Sequence, residues 1–210
     1  MTMRKRVGSV LFTAAAAAAI VGLSVGSALA ATTLSVKVSG GGSYTAKAGT
    51  TVLTDHGVSV TCKSSKASGK ISNGTHKGKS PVDLGAVSKL GFTTCTSLLG
   101  AVTNTVHGKP VLNADSKTNS KGETAAVITN VNVSVSLTGC TFTVTGSAPG
   151  YYKNSNHTLY MTPKPPVKGT VKAALTVSNV QGCSGVVKNG DSPTYTASYK
   201  VSRSIKIKST

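Results

Sequence analysis

The sequence predicts an all-β protein, in which an antiparallel sandwich or barrel-like sheets are stapled by two disulfides and follow an N-terminal signal helix. Three observations predict this fold: alternating side chains, a composition that disfavours helices, and four cysteines in an exported chain. The clearest alternation covers residues 131–148, VNVSVSLTGCTFTVTGSA, where Val, Leu and Phe alternate with Ser, Thr and Asn on both sides of Gly139 and Cys140. Such a period of two places the apolar side chains on one face of a strand.

The composition favours short strands joined by glycine turns. Aromatic residues make up 4% of the chain and tryptophan is absent, so the core has to be built mainly from Val, Leu, Ile and Ala. Charged residues account for only 13%, while Ser, Thr, Gly and Val are abundant, which suits strands and turns better than helices. A chain of this size can bury a core as one domain or as two small ones.

The first thirty residues have the features of a secretory signal peptide. Arg4, Lys5 and Arg6 precede an alanine-rich apolar run, and Ala28-Leu29-Ala30 fits a cleavage site. The alternative is an N-terminal membrane anchor, for which the run is short. We therefore expect a signal peptide at 1–30 and a secreted β domain at 31–210, with possible halves 31–112 and 124–210. No segment of the mature chain is apolar enough to span a membrane.

Four cysteines, an even number in an exported chain, predict two disulfides. Three pairings of Cys62, Cys95, Cys140 and Cys183 are possible, and we favour Cys62 with Cys95 and Cys140 with Cys183 because each closes a loop within one half. The alternative is a metal site. Neither a CxxC motif nor a pair of histidines supports it, so the sequence predicts no metal ligands.

In the first half, alternation and turn residues predict a series of short strands. The segment 63–80 is basic and rich in turn residues, with a possible strand at 67–71, and 81–85 reads as a turn or a single helical turn. The predicted strands are 34–38, 44–47, 51–53, 58–62, 87–95 and 98–106.

In the second half, residues 113–123 (NADSKTNSKGE) lack hydrophobic periodicity and predict an exposed loop between the halves. Two tyrosine-bearing arms around Asn154-Ser155-Asn156 predict a hairpin over 151–161. Clean alternation at 171–177 and at 195–201 predicts two more strands. Ile205 and Ile207 continue the pattern of apolar residues at odd-numbered positions in the second of these strands, which predicts that the strand extends toward the end of the sequence.

Several of these pieces, taken in order, resemble a group of small secreted actinobacterial proteins with a four-cysteine frame and Thr/Gly-rich strands. The similar segments are SGGGSYTAKAGTT, VSVTCKSSKASGKI, FTTC, GETAAVITNVNVSVSLTGCTF, LTVSNVQGC and NGDSPTYTASYKVS. That group has no assigned biochemical activity. The resemblance therefore implies export and an all-β fold, and it implies no functional residue.

The residues that could carry catalysis are few. Asp55 beside His56 suggests a triad with one of many serines, but no GxSxG motif accompanies it. We therefore predict no catalytic residue and no cofactor, with a hydrolase that uses His56 or His157 as the alternative. All the acids fall in predicted turns or loops, and the complete set of acids and histidines is Asp55, Asp83, Asp115, Glu123, Asp191, His56, His76, His107 and His157.

Positive charge is the one unusual bulk property. The mature chain has 20 Lys and Arg residues against 5 acids, a net charge of +15 with histidine neutral, and Arg203 is its single arginine. Lysine is a hydrated point charge that lacks the bidentate geometry of arginine, which argues against sequence-specific nucleic-acid recognition. The charge permits weak binding to anionic cell-wall polymers or lipid headgroups. Alternatively, the lysines solubilise polar sheet faces and protect edge strands.

Together these observations predict a non-enzymatic, extracellular basic protein that binds anionic cell-surface polymers weakly. A secreted hydrolase and a structural or assembly module that pairs through strand edges are the alternatives. Tyr151, Tyr152 and Tyr160 could form a stacking platform, although aromatic side chains in a hairpin more often pack across strands.

Overall fold

Antiparallel strands make up nearly all regular structure in this protein, and the residues described contain no helix. The structure is a computed structural model that describes residues 33–56 and 58–210, so the predicted signal helix at 1–30 lies outside it. The strands in chain order are β1 (Thr33–Ser39), β2 (Gly42–Ala48), β3 (Thr51–Asp55), β4 (Val58–Ile71), β5 (Gly74–Lys79), β6 (Val82–Ser97), β7 (Gly100–Val106), β8 (Val111–Ala114), β9 (Glu123–Leu137), β10 (Cys140–Lys153), β11 (Thr158–Met161), β12 (Leu175–Gln181), β13 (Thr194–Val201) and β14 (Lys206–Ser209).

The larger sheet closes on itself as a barrel. Its strand order is β12-β10-β11-β13-β2-β4-β6-β7-β9-β8, with β3 between β13 and β4, and a further ladder joins β9 to β10. That ladder completes the ring β10-β11-β13-β2-β4-β6-β7-β9 and leaves no free edge along it. The all-β prediction is confirmed, and of the two architectures that it allowed the barrel is the one present.

The alternating stretch at 131–148 forms the ladder that closes this ring. It folds as the β9–β10 hairpin, with Leu137 opposite Cys140 across a two-residue connection, as the break in the alternation predicts. Val135 and Val144 are 1% and 3% exposed, whereas Ser136 and Thr141 on the other face are exposed. Every apolar residue of this alternation therefore faces the interior of the barrel.

A second, three-stranded sheet has the order β14-β1-β5. Its inner face carries Leu34, Val36 and Val38, all at most 2% exposed, which belong to the same apolar cluster as the barrel interior. Ile207 of β14 lines the barrel cavity, so this small sheet covers one end of the barrel. The prediction that Ile205 and Ile207 continue the 195–201 strand is wrong: β13 ends at Val201, and β14 pairs with β1 instead.

Both predicted disulfides are confirmed. Cys62 and Cys95 are directly opposite each other on β4 and β6, with Cα atoms 3.9 Å apart. Cys140, the first residue of β10, is bonded to Cys183 in the segment after β12. Each bridge lies within one predicted half, yet the halves pair with each other through β13 with β2 and β3 and through β9 with β7 and β8. Residues 31–210 form one compact unit.

Several segments predicted as turns or loops are strands or are buried. The basic segment at 63–80 belongs almost entirely to β4 and β5, because its lysines occupy the outward positions of strands whose inward positions are Ser, Ala, Gly and Ile. Residues 82–85 begin β6 rather than forming a turn. In the predicted second half, the strand expected at 171–177 begins only at Leu175, the first residue of β12, and 171–174 is not a strand.

The segment at 113–123 is a loop only over 115–122, where Lys117, Ser120 and Lys121 are exposed, whereas both of its ends are buried and belong to β8 and β9. Asn113, Asp115 and Glu123 are 3–6% exposed, because their polar groups are hydrogen-bonded inside the protein. The Asp115 carboxylate accepts hydrogen bonds from Ser80 Oγ at 2.6 Å and Thr170 Oγ1 at 2.7 Å, and thus joins two distant segments. The predicted hairpin over 151–161 is confirmed as β10–β11. No helix in the part of the chain described is long and apolar enough to cross a membrane.

Each disulfide should contribute measurably to stability. The closed loops have sequence separations of 33 and 43 residues, for which the chain-entropy relation gives about 4 kcal/mol each. We expect the double variants Cys62→Ser/Cys95→Ser and Cys140→Ser/Cys183→Ser each to lose a few kcal/mol of unfolding free energy in denaturant titrations. A loss below about 1 kcal/mol for both would contradict the view that the bridges staple the barrel.

Candidate functional site

The barrel interior contains a cavity of about 140 Å³ that is lined almost entirely by apolar side chains. It extends from Val60 and Cys62, which belongs to the disulfide with Cys95, to Ile71 and Ile207 beside the small sheet. Nearly every strand of the ring contributes to its wall, because inward positions on successive strands face the same enclosed space. The cavity is therefore a property of barrel closure, and no single segment of sequence encodes it.

The cavity explains an otherwise unusual pattern of exposure. Eleven apolar residues that pack on the core keep part of their surface accessible, and all of them except Val180 line the cavity. The side chains that line the cavity point inward, so accessible apolar surface is present inside the barrel. The partly buried residues that line it are Leu53, Ala67, Leu90, Phe92, Ile128, Val131, Val133, Leu159, Tyr195 and Val201.

Two left-handed residues bring part of this lining inward. Phe92 and Cys95 both face the interior although they are an odd number of residues apart, and Thr94 between them has φ 48°. In β9, Asn130 has φ 57° and lies between Ile128 and Val131, which both line the cavity. A positive φ is uncommon for these residue types, and here it shifts the in–out alternation by one residue.

The few polar groups in the lining are mostly satisfied by other protein groups. The Tyr199 hydroxyl is 2.7 Å from Ser65 Oγ and 2.8 Å from the Tyr195 hydroxyl, and Ser65 Oγ donates to the Gly91 carbonyl. Tyr152 Oη donates to the Ile205 carbonyl at 2.8 Å. Asn104 Nδ2 donates to Cys95 Sγ at 3.1 Å. The lining thus offers a ligand apolar contact and few free hydrogen-bonding groups.

Lysines gather on the outer face of the small sheet. Lys37 lies directly opposite Lys208, and the register places Lys77, Lys79 and Lys206 on the same outward side. The three strands contain no acid, and all five lysines are exposed. Like charges directly opposite each other on a sheet are destabilising. We refer to these five residues as the lysine face.

The acids do little to offset this surface charge, because most of them are withdrawn from solvent. Asp55, Asp115 and Glu123 are buried, and Asp191 is half-buried. Hydrogen bonding from Asn119 and the charge of Lys153 lower the pKa of Glu123, whose carboxylate lies 3.3 Å from Lys153 Nζ. Asp83, in β6, is thus the one acid among the described residues with an exposed position.

The histidines do not assemble a catalytic triad. His76 bonds the Ser72 carbonyl, His157 the Ile205 carbonyl and His107 the Ser134 hydroxyl, and no carboxylate of the described residues joins any of these contacts. His56 is different, because its Nδ1 lies 3.0 Å from Asp55 Oδ1 and 3.6 Å from Asp191 Oδ1. No serine hydroxyl is hydrogen-bonded to His56 among the side chains described.

Two of the three tyrosines considered as a platform stack on one another. The Tyr151 and Tyr160 rings are 4.8 Å apart and nearly parallel across the β10–β11 hairpin, whereas Tyr152 points into the core. The pair is thus a cross-strand contact of the kind the hairpin predicts.

Sequence reasoning missed both the cavity and the meeting of His56 with Asp191. The alternation identified most lining residues as inward-facing, but inward-facing residues normally fill a core, and only the ring closure reveals space between them. Comparisons of the chain with protein families, with curated proteins and with solved structures gave no match.

The interior tyrosines provide a pH test of this apolar environment. Burial raises the pKa of Tyr44 and of Tyr152 to about 12, so the folded protein favours their neutral form. Their contribution to stability is complete below the ordinary tyrosine pKa of about 10 and is lost as the pH rises through about 12. We expect part of the tyrosinate absorbance to develop only as circular dichroism reports unfolding. Complete ionisation near pH 10 with an intact fold would contradict the described interior.

Proposed function

We propose that this protein is a non-enzymatic, exported binding protein that holds a small apolar molecule inside its barrel. The observation that carries the proposal is accessible apolar surface on inward-facing residues of a closed sheet. Covering such surface is favourable by about 25 cal/mol per Å². A molecule that enters gains this term without requiring the barrel to form new structure, because the wall is already in place.

The size of the cavity limits the ligand. A cavity of about 140 Å³ is close to the ~150 Å³ apolar cavity that binds benzene in an engineered protein. We therefore expect a compact apolar or aromatic molecule of about six to ten non-hydrogen atoms. The satisfied tyrosine hydroxyls around Tyr199 disfavour a ligand with several polar groups, because such groups would find few partners.

A binding role suits these residues better than a catalytic one. The cavity is lined without a carboxylate or histidine, and the histidine that meets two carboxylates has no hydroxyl nucleophile bonded to it among the described residues. Two disulfides and the absence of a membrane-spanning helix from the described part are compatible with an extracellular protein. The signal peptide predicted at 1–30 and the resemblance to secreted actinobacterial proteins support export.

Filling the cavity should abolish ligand binding without disturbing the fold. We expect toluene to bind the mature protein in calorimetry and to raise its unfolding temperature. The variant Val133→Phe places a larger apolar side chain in the lining and should weaken binding at least 10-fold.

The matched control is Val180→Phe. Val180 packs on the same core but does not line the cavity, so this variant should bind like the wild type. Equal affinity in wild type and Val133→Phe, or no toluene binding by the wild type, would contradict the proposal.

The lysine face supports a second function, binding to an anionic polymer of the cell surface. Five exposed lysines on one face, with Lys37 directly opposite Lys208, would lose part of their mutual repulsion beside a row of phosphates. Such binding releases counterions and therefore weakens steeply with salt. It would localise the protein without any sequence recognition, which agrees with the scarcity of arginine.

This second function predicts that the position of the lysines matters more than their number. The triple variant Lys37→Ser/Lys77→Ser/Lys208→Ser should bind polyphosphate at least 10-fold more weakly, with a shallower salt dependence. The control Lys164→Ser/Lys172→Ser/Lys188→Ser removes the same charge from exposed positions outside the face and should lose much less. Equal losses in both variants would show that net charge alone acts. Vesicles containing an anionic phospholipid, tested in parallel, distinguish a polymer from a lipid surface.

A further inference from the structure

Two carboxylates and an imidazole meet at one end of the barrel. Ligand atoms of Asp55, His56 and Asp191 lie within 4.8 Å of one another. Asp55 is the last residue of β3, His56 follows in the connection to β4, and Asp191 comes from the turn before β13. Asp55 lies on the same face of β3 as Thr51 and Leu53 of the cavity wall, one step nearer the end of the strand. Asp55 lies opposite Val58, the first residue of β4, whereas Ile71 is the last residue of that strand. The cluster therefore lies near the rim of the barrel that is farther from Ile71.

Both carboxylates are held in place by the fold. The Asp191 backbone is hydrogen-bonded to Val177 of β12, and its Oδ2 accepts the Lys188 amide at 2.7 Å, which leaves Oδ1 directed toward His56. Asp55 pairs with Val58 across a two-residue connection, so the side chain of His56 projects from a tight hairpin next to it. These atoms are thus positioned by main-chain structure on two separate segments.

One carboxylate oxygen of the cluster, Asp55 Oδ2, lacks a hydrogen-bond partner among the described residues. The Asp55 side chain is 10% exposed, and its Oδ2 is buried. A buried, unpartnered carboxylate oxygen costs free energy unless a proton or a cation joins it.

Lysine is abundant elsewhere in the chain, but no lysine pairs with this cluster among the described residues. The mature chain has 20 Lys and Arg residues, but the ion pairs of Asp55 and Asp191 among the described residues involve His56 alone. A lysine would neutralise the pair at little cost if neutralisation were the only requirement. The His56 side chain is 68% exposed, so the cluster remains accessible from solvent.

We propose that Asp55, His56 and Asp191 form a binding site for a divalent metal ion of the zinc type. One imidazole nitrogen and two carboxylate oxygens are ligands that Zn²⁺ takes, and three protein ligands leave a coordination position for solvent. The ion would supply the missing partner of Asp55 Oδ2 and would join β3 to the segment before β13. This site was not predicted from the sequence, since only cysteines and paired histidines were considered as ligands and Asp191 is remote from His56 along the chain.

The test is a Zn²⁺ titration of chelator-treated, full mature protein, followed by calorimetry and by NMR of the histidine side chains. We expect one Zn²⁺ per chain and a shift of the His56 imidazole resonances ahead of those of the other histidines. Asp191→Asn is nearly isosteric and should weaken binding at least 100-fold while circular dichroism stays unchanged.

Two further variants keep the test decisive if Asp191→Asn perturbs the fold. His56→Asn retains a residue favoured in two-residue hairpin connections and should weaken Zn²⁺ binding at least 10-fold. Asp83→Asn removes the exposed acid outside the cluster and should bind like the wild type. No binding by the wild type, or equal binding by all three variants, would overturn the proposal and leave a shared proton as the partner of Asp55.

Discussion

The ladder between β9 and β10 is the contact on which the rest of this structure depends. It joins two strands near opposite ends of a long antiparallel path and converts an open sheet into a ring. Closure removes the free edges along the eight strands of the ring and, in the same step, turns their inward side chains toward a common space. The core, the cavity and the position of the small sheet all follow from that closure.

The amino-acid composition then determines which side chains line the interior of the closed ring. A ring of this size needs large side chains to fill it, yet the chain has few aromatic residues and no tryptophan. Valine, leucine, isoleucine and alanine form most of the wall, together with five aromatic side chains. The small sheet covers one end with Val36, Ile207 and their neighbours, so space remains between these residues and the disulfide end. An apolar binding site thus arises from closure of the ring and not from a dedicated motif.

Local patterning predicted much of the fold because strand alternation and cysteine pairing are local or nearly local signals. The β9–β10 hairpin and both disulfides were predictable, since the alternation around Gly139 and the placement of the cysteines in each half left few choices. The errors came from tertiary context. Asp115 and Glu123 occupy a segment polar enough for a loop, and partners distant in sequence, Thr170 for Asp115 and Lys153 for Glu123, help to bury them.

The functional features were largely unpredictable for the same reason. The inward direction of Ile128 and Phe92 depends on left-handed residues at Asn130 and Thr94, which no alternation rule anticipates. The lysine face depends on a pairing between the first and last strands, and the carboxylate–histidine cluster depends on a turn beside β12. Sequence analysis could count the lysines and acids, but their grouping is a consequence of the register of the sheets.

The central claim is that the barrel interior is an open apolar space that accepts a guest. Methyl NMR of protein labelled at Leu and Val, titrated with xenon, tests it most directly, because xenon enters apolar cavities and reports their location. The account predicts saturable shifts for methyl groups of Leu90, Val131 and Val133, with little change at the exposed Leu98. Shifts confined to exposed methyl groups, or no saturable shift at all, would contradict it.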